Sequence, residues 1–230
     1  MFPIIDILCT ISSYGERSSV GRAPDCGSGC RGFEPHRSPH IIMIFVISGP
    51  SGVGKGTLIQ AILNQHPSLC LAVSATTRQP RIGEKDGIEY YFLSQKKFNE
   101  HVQNDQFLEW CNVHGNCYGT LKPEVTKKLS THQAIIIEID VQGAEKIRMN
   151  NNFPQFHIFI APPSEQILEA RLKSRNTENE QVIQQRLLEA KRELLKKDHY
   201  DKIIVNNELT QSIDELNNVI LSILTKESFT

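Results

Sequence analysis

The segment Gly49 to Thr57 reads GPSGVGKGT and follows directly on the apolar run Ile41 to Ile47. An apolar run of that length predicts a buried strand, and a glycine-rich turn with an embedded lysine predicts consecutive N–H groups closing around an anion. A helix should follow from Lys55 to about Gln65, with the positive end of its dipole on the same anion. Lysine in such a turn is costly to bury without an anion beside it. The pattern G-x-x-x-x-G-K-[ST] is met except at Gly56, which stands where a hydroxyl would face magnesium; Thr57 is the expected substitute, directly or through water. Gly49, Pro50, Ser51, Gly52, Val53, Gly54, Lys55, Gly56 and Thr57 are therefore the candidate triphosphate ligands.

Composition limits what else the chain can be. Its 230 residues suffice for one good core and a small inserted lobe. A net charge of −1 and a pI near 6.7 argue against a nucleic-acid or membrane-surface protein, so the basic residues must act locally. No apolar run reaches the length of a membrane-spanning helix. Six cysteines, at 9, 26, 30, 70, 111 and 117, lack paired metal-ligand spacing and read as reduced thiols of a cytoplasmic protein. A homodimer is compatible with the chain.

Residues 1–42 differ from the rest. They are crowded with Gly, Ser, Pro, Arg and Cys and carry no helical or strand periodicity beyond Phe2 to Ile11. Asp6 interrupts the apolar stretch of a would-be secretory signal, and four acidic residues balance the arginines of a would-be presequence. Gly32-Phe33-Glu34-Pro35 can be written GGG TTC GAA CCC, the T-arm of a transfer-RNA gene, and Ser18 to Pro39 resembles such a gene translated in one frame. The expectation is an extension outside the core, with Met43 as the initiator.

From Met43 onward, apolar runs alternate with amphipathic stretches in the manner of a parallel sheet covered by helices. Core strands are expected at Ile44–Ser48, Leu69–Ser74, Ala134–Asp140, Phe156–Ala161 and Lys202–Asn206. Helices are expected at Lys55–Gln65, Gly143–Met149, Ser164–Ser174, Glu180–Lys197 and Thr210–Leu224. Pro162-Pro163-Ser164 is a helix-start signal. Between Thr76 and Leu129 the pattern changes to short strands near Glu89–Leu93 and Phe107–Val113 with helices at Gln95–Asn104 and Pro123–Leu129. The fold class is α/β, with core segments 43–75 and 130–230 and a small lobe, 76–129, inserted between them.

The lobe carries the acceptor chemistry. Arg78 and Arg81 lie three apart beside hydroxyls at the end of a buried strand, where ligands gather in open α/β sheets. Two guanidinium forks and a phenol, Tyr90 or Tyr91, suit a second phosphate facing the first.

At this point the residues match a family. GPSGVGKGT, SATTRQPR, Gly87 to Phe92, FLEW at Phe107 to Trp110, GNCYGT at Gly115 to Thr120 and IDVQG at Ile139 to Gly143 resemble guanylate kinase in order and spacing, and the match continues through APPS at Ala161, RNTENE at Arg175, QRL at Gln185 and IVNN at Ile204. The resemblance covers Met43 to the C-terminus. It implies a P-loop NTPase-type parallel sheet flanked by helices, a GMP-binding lobe, a helical lid at about 171–192, and transfer of the terminal phosphoryl of ATP to GMP, and to dGMP, with Mg2+ accompanying ATP. By position, Arg78, Arg81, Tyr90 and Tyr118 would hold the GMP phosphate, and Ser74, Glu109, Thr120 and Asp140 would read guanine. A carboxylate at Glu109 can accept from both N1–H and the exocyclic amine of guanine, a pairing adenine lacks. The resemblance makes Lys55, Arg81, Arg175 and Arg186 the catalytic charges and places Asn206 near adenine; Arg171, one turn before Arg175, is a rival for the lid role. Glu138 stands where the family commonly has aspartate, and Cys117 where it is often aromatic. Two alternatives remain open: a phosphopeptide-binding module of the same fold without catalysis, and a kinase for another nucleoside monophosphate.

Overall fold

The computed structural model describes residues 42–113, 115–150, 153–174 and 180–226. Residues 1–41, and with them the expected extension and the residue before Ile42, lie outside the described residues, as does Arg175.

Five parallel strands form the central sheet in the order β2 (Leu69–Leu71), β7 (Ala134–Glu138), β1 (Met43–Ser48), β8 (Gln155–Ala161) and β9 (Lys202–Val205). Every residue of β1 is buried, as a middle strand covered on both faces requires. Its alternate side chains sort to two faces. Met43, Phe45 and Ile47 pack with Leu58, Ile59 and Ile62 of α1 (Lys55–Gln65) and Leu216 and Ile220 of α7 (Leu209–Lys226). Ile44 and Val46 pack with Val125 and Leu129 of α3 (Lys122–Leu129) and Ala144 and Ile147 of α4 (Val141–Met149). This double burial seats the turn after β1 on a rigid floor.

The second sheet has the order β4 (Tyr91–Phe92), β3 (Ala75–Thr76), β6 (Asn116–Leu121), β5 (Phe107–Val113). Its core is Phe98 of α2 (Gln95–Gln103) stacked on Phe107 with ring centroids 4.4 Å apart, closed by Ala75 and Cys117. The remaining helices are α5 (Glu165–Lys173) and α6 (Glu180–Leu194), which share the apolar cluster Leu168, Leu172, Ile183 and Ala190.

Several boundaries moved for identifiable reasons. The strand expected over Leu69–Ser74 ends at Leu71, because the buried carboxylate of Glu124 takes the Val73 N–H (3.2 Å) and turns the chain from the central sheet toward the small one. The strand expected to run to Asp140 stops at Glu138, and Asp140 instead caps α4 by accepting the Gly143 N–H at 2.7 Å. Hence α4 starts two residues before the expected Gly143. The helix expected to reach Lys197 stops at Leu194, followed by a short 3₁₀ turn. β6 had not been expected as a strand at all. Ser164 caps α5, as the Pro-Pro-Ser signal implied. Val125 and Leu129, expected within the inserted lobe, belong to the central core, whereas Ala75 belongs to the small sheet.

Candidate active site

The turn after β1 has the backbone its glycines permit: Gly49, Gly52 and Gly54 adopt φ of 146°, 85° and 98°. Gly54 caps α1 in the left-handed region, and a Cβ there would fall 2.6 Å from Asn206 Nδ2, so no other residue fits. Lys55, the first residue of α1, reaches back over the loop and donates from Nζ to the carbonyls of Gly49 (2.7 Å) and Pro50 (3.2 Å). The loop is braced from behind. Asn206 Nδ2 and Arg171 Nη1 both donate to the Val53 carbonyl (2.8 and 3.3 Å), and Arg171 Nη2 donates to the Asn206 carbonyl at 2.9 Å. Arg171 is thereby occupied as a strut for the loop and does not line the cleft.

A cleft of about 280 Å³ opens in front of the loop. Gly49, Ser51 and Lys55 form one end, and Ser74, Tyr90, Glu109, Tyr118 and Asp140 the other. Arg186 of α6 closes over it, donating from Nη1 to Ser51 Oγ at 3.1 Å. The cleft thus joins nine of the residues singled out in the sequence. Pro50, Gly52, Val53, Gly54, Gly56, Thr57 and Asn206 complete the loop, its helix or its backing without lining the cleft.

Glu109 is the most constrained of these groups. It stands on β5 directly opposite Thr120 on β6, just after an irregularity in the register, and this cross-strand pairing lets Thr120 Oγ1 donate to Glu109 Oε1 at 2.9 Å. Thr120 is fully buried behind it, and Glu109 itself is only 5 % exposed. Burial, helped by the neighbouring Asp140 carboxylate and opposed by the Thr120 hydrogen bond, pushes the Glu109 carboxyl up to about 7. Its Oε2 faces the first turn of α4 so closely that a Cβ on Gly143 would sit 2.9 Å away.

Tyr90 and Tyr118 meet edge to face with centroids 6.0 Å apart, and the Arg78 guanidinium lies 5.4 Å from the Tyr90 ring centre. These three therefore converge in the lobe; Tyr90 and Tyr118 line the cleft and Arg78 does not. The Arg81 side chain is exposed and does not line the cleft.

Four titratable cleft residues escaped the sequence reading as candidates. Cys111 is buried on β5 and donates its thiol to Asp140 Oδ2 at 3.4 Å; burial and the acids beside it hold that thiol protonated far above the usual range. Glu189 and Glu193 line the cleft from α6, and Glu89 from the lobe. Burial pushes Glu193 up to about 7, with Lys55 opposing the shift and Asp140 and Glu189 adding to it. The spacing of Arg186, Glu189, Ala190 and Glu193 puts all four on one helix face, a signal available in the sequence. Glu138, noted in the sequence only as a departure, also lines the cleft.

Comparison with known proteins points the same way. The profile of the family described as Guanylate kinase matches residues 42–223. The chain belongs to the guanylate kinase family. It is 43 % identical over 182 residues to a guanylate kinase of Carboxydothermus hydrogenoformans, covering 79 % of this chain and 88 % of that one. A guanylate kinase of Prochlorococcus marinus is 44 % identical over 180 residues, 78 % of this chain and 97 % of its own length. Among solved structures, the guanylate kinase from Anaplasma phagocytophilum superposes with a TM-score of 0.64 at 29 % identity, over 83 % of this chain and 88 % of that one. The fold is thus the P-loop α/β architecture of guanylate kinases.

Proposed function

We propose that this protein transfers the terminal phosphoryl group of ATP to GMP, giving ADP and GDP. The observation that carries the reading is one cleft lined at one end by the glycine-rich loop with Lys55 and at the other by Tyr90, Tyr118 and Glu109, with Thr120 behind Glu109 and Arg78 against Tyr90. Its membership in the guanylate kinase family supports the same activity.

Phosphoryl transfer asks the protein for positioning and charge compensation more than for covalent chemistry. The loop N–H groups and the α1 dipole hold the ATP phosphates. Lys55 supplies positive charge beside the transferring group, and Arg186 closes the lid over it. Arg78, Tyr90 and Tyr118 orient the acceptor phosphate, with Arg81 swinging in from the surface. Ionised Glu109 accepts from guanine N1–H and the exocyclic amine, with Ser74 and Asp140 beside it. Asn206 fixes the loop from behind, at the adenine end.

The residues present fit a magnesium ion carried by ATP. Thr57 offers a hydroxyl on the first turn of α1, and Glu138 Oε2 lies 3.8 Å from where a Cβ on Gly56 would stand, so a hydroxyl and a carboxylate flank the helix start. Magnesium prefers such hard oxygen ligands, few in number, with phosphates and water completing its shell. When bound it neutralises charge on the phosphates.

Among the described residues no helix is long and apolar enough to cross a membrane. The substrates are small molecules, nucleic acid is not a partner, and the enzyme acts in the cytoplasm, where both nucleotides are made and used. A homodimer is compatible with this work.

A coupled assay with ATP against GMP, dGMP, AMP, CMP and UMP tests the proposal. GMP and dGMP should be phosphorylated and the others turned over at least ~10³-fold less efficiently, because a buried carboxylate left without donors rejects the wrong base. Equal use of AMP, or no turnover of GMP, would overturn it.

A further inference from the structure

The arginines of the small lobe are held by a carboxylate that the assignment above leaves without a role. Arg78 Nη2 donates to both oxygens of Glu84, at 2.9 and 3.0 Å, and Nη1 donates to the Gln79 carbonyl at 2.7 Å. The same Glu84 Oε2 accepts the backbone N–H of Arg81 at 2.7 Å, and the Glu84 N–H closes a turn on the Arg81 carbonyl at 3.1 Å. One side chain therefore fixes the guanidinium of the first arginine and the backbone of the second.

Exposed ion pairs on loops usually do little. This one differs in geometry and in setting. The two side chains retain only 15 % and 17 % of their exposure, and the pairing holds the Glu84 carboxyl below its ordinary range. The guanidinium is also packed 5.4 Å from the Tyr90 ring centre and 5.8 Å from that of Phe92. Beyond the Glu84 and Gln79 bonds, Arg78 also interacts with the Tyr118 hydroxyl, so its guanidinium is fixed from several sides.

We propose that Glu84 is the positioning residue of the acceptor-phosphate site, pre-orienting the Arg78 guanidinium and fixing the loop backbone from which the Arg81 side chain swings in, so that the phosphate of the nucleoside monophosphate meets Arg78 already in place. The proposal rests on the phosphotransferase reading above. Glu84 touches no substrate. Its negative charge opposes an incoming phosphate, but solvent screening limits that cost to a few fold. Freeing a long arginine side chain and a loop backbone costs ~10-fold or more in affinity, so orientation outweighs repulsion.

The test is titration calorimetry of GMP and of guanosine, with ATP kinetics alongside, on the wild type and on Glu84→Gln, Glu84→Ala and Glu84→Asp. GMP should bind ~10-fold more weakly to Glu84→Gln and weaker still to Glu84→Ala, with partial recovery in Glu84→Asp. Guanosine, which lacks the phosphate, should bind all four proteins within ~2-fold, and the KM for ATP should move as little. GMP affinity unchanged or improved in Glu84→Ala would overturn the proposal. So would parallel losses for GMP and guanosine, which mark collapse of the lobe. Wild-type protein that binds GMP without phosphorylating it would refute the phosphotransferase reading alone, since the binding comparison does not depend on turnover.

Discussion

If Glu109 reads guanine as a carboxylate, recognition of the base must be coupled to loss of a proton. In the free protein burial holds this group up to about 7, against an ordinary 4.5. That displacement corresponds to about 3 kcal/mol of preference for the neutral form. Two guanine donors need the ionised form, so binding below about pH 7 releases a proton and weakens as pH falls. For one site half-ionised near pH 7, going from about pH 8 to about pH 6 leaves about a tenth as much competent protein, and affinity drops about tenfold. GMP itself titrates in this window because its second phosphate ionisation lies near pH 6. Guanosine avoids that overlap, and its inhibition constant as a competitor of GMP is the proper readout. Glu109→Gln should bind guanosine about a hundredfold more weakly, since an amide presents a donor to donors, and its profile should be flat. Glu193 titrates in the same range and interacts with both Lys55 and Asp140, so Glu193→Gln is the control: it should keep the wild-type slope, which belongs to Glu109. Stability runs with a definite sign. The raised carboxyl adds no penalty below about pH 4.5, accrues it as pH rises to about 7, and holds it above, so Glu109→Gln without ligand should gain melting temperature over wild type at pH 8 relative to pH 4.5. A pH-independent guanosine constant in the wild type would refute the reasoning.

Two further substitutions act on the loop and on the surroundings of Glu109. Lys55→Ala should leave the melting temperature within a few degrees and GMP affinity nearly intact while lowering kcat by on the order of 10²- to 10³-fold, because the lost charge sits beside the transferring group; unchanged turnover would remove the loop from the mechanism. Gly143→Ala should lower stability, because a Cβ 2.9 Å from the buried Glu109 Oε2 and 3.1 Å from Ile139 Cδ1 outweighs the gain of about 1 kcal/mol in helix propensity, and should weaken GMP about tenfold; equal GMP affinity by calorimetry would show that the carboxylate has room to move.

The sequence discloses local features well and remote ones poorly. The β1–loop–α1 unit is legible because an apolar run, a glycine turn and a helix lie consecutively in the chain. Ser164 is legible for the same reason. What ended β2 early was the Glu124 carboxylate, 51 positions from the Val73 N–H it accepts, and no local pattern announces it. β6 was hidden by the glycines within GNCYGT, which lower strand propensity, although Gly119 is there because Glu109 and Trp110 of the neighbouring strand leave no space for a Cβ. In the site, motif matching located Glu109, Tyr90 and Tyr118, and the cleft collects them. The supporting partners went unseen: Cys111 on Asp140 and Arg171 on Val53 are contacts between segments that only the folded chain brings together, and Glu84 meets Arg78 within one loop whose turns show no periodicity to read.

The α6 helix is held to the body by little. Two of its side chains, Ile183 and Ala190, are buried in a small cluster with Leu168 and Leu172 of α5, its last residue, Leu194, packs at the edge of the Val141, Phe159 and Ala161 cluster, and its ion pairs, such as Lys191 with Glu165, are half exposed and screened. β1, by contrast, is buried along its whole length. The molecule therefore has a graded thermodynamic landscape in which α6 can part from the body at a small fraction of the free energy of global unfolding. Amide hydrogens along α6 exchange with solvent through that local opening, and those of β1 wait for the whole sheet to come apart. Because Arg186 bonds Ser51 of the glycine-rich loop, a ligand seated on that loop should slow exchange along α6 but not along β1, a difference that hydrogen exchange with and without ATP would read.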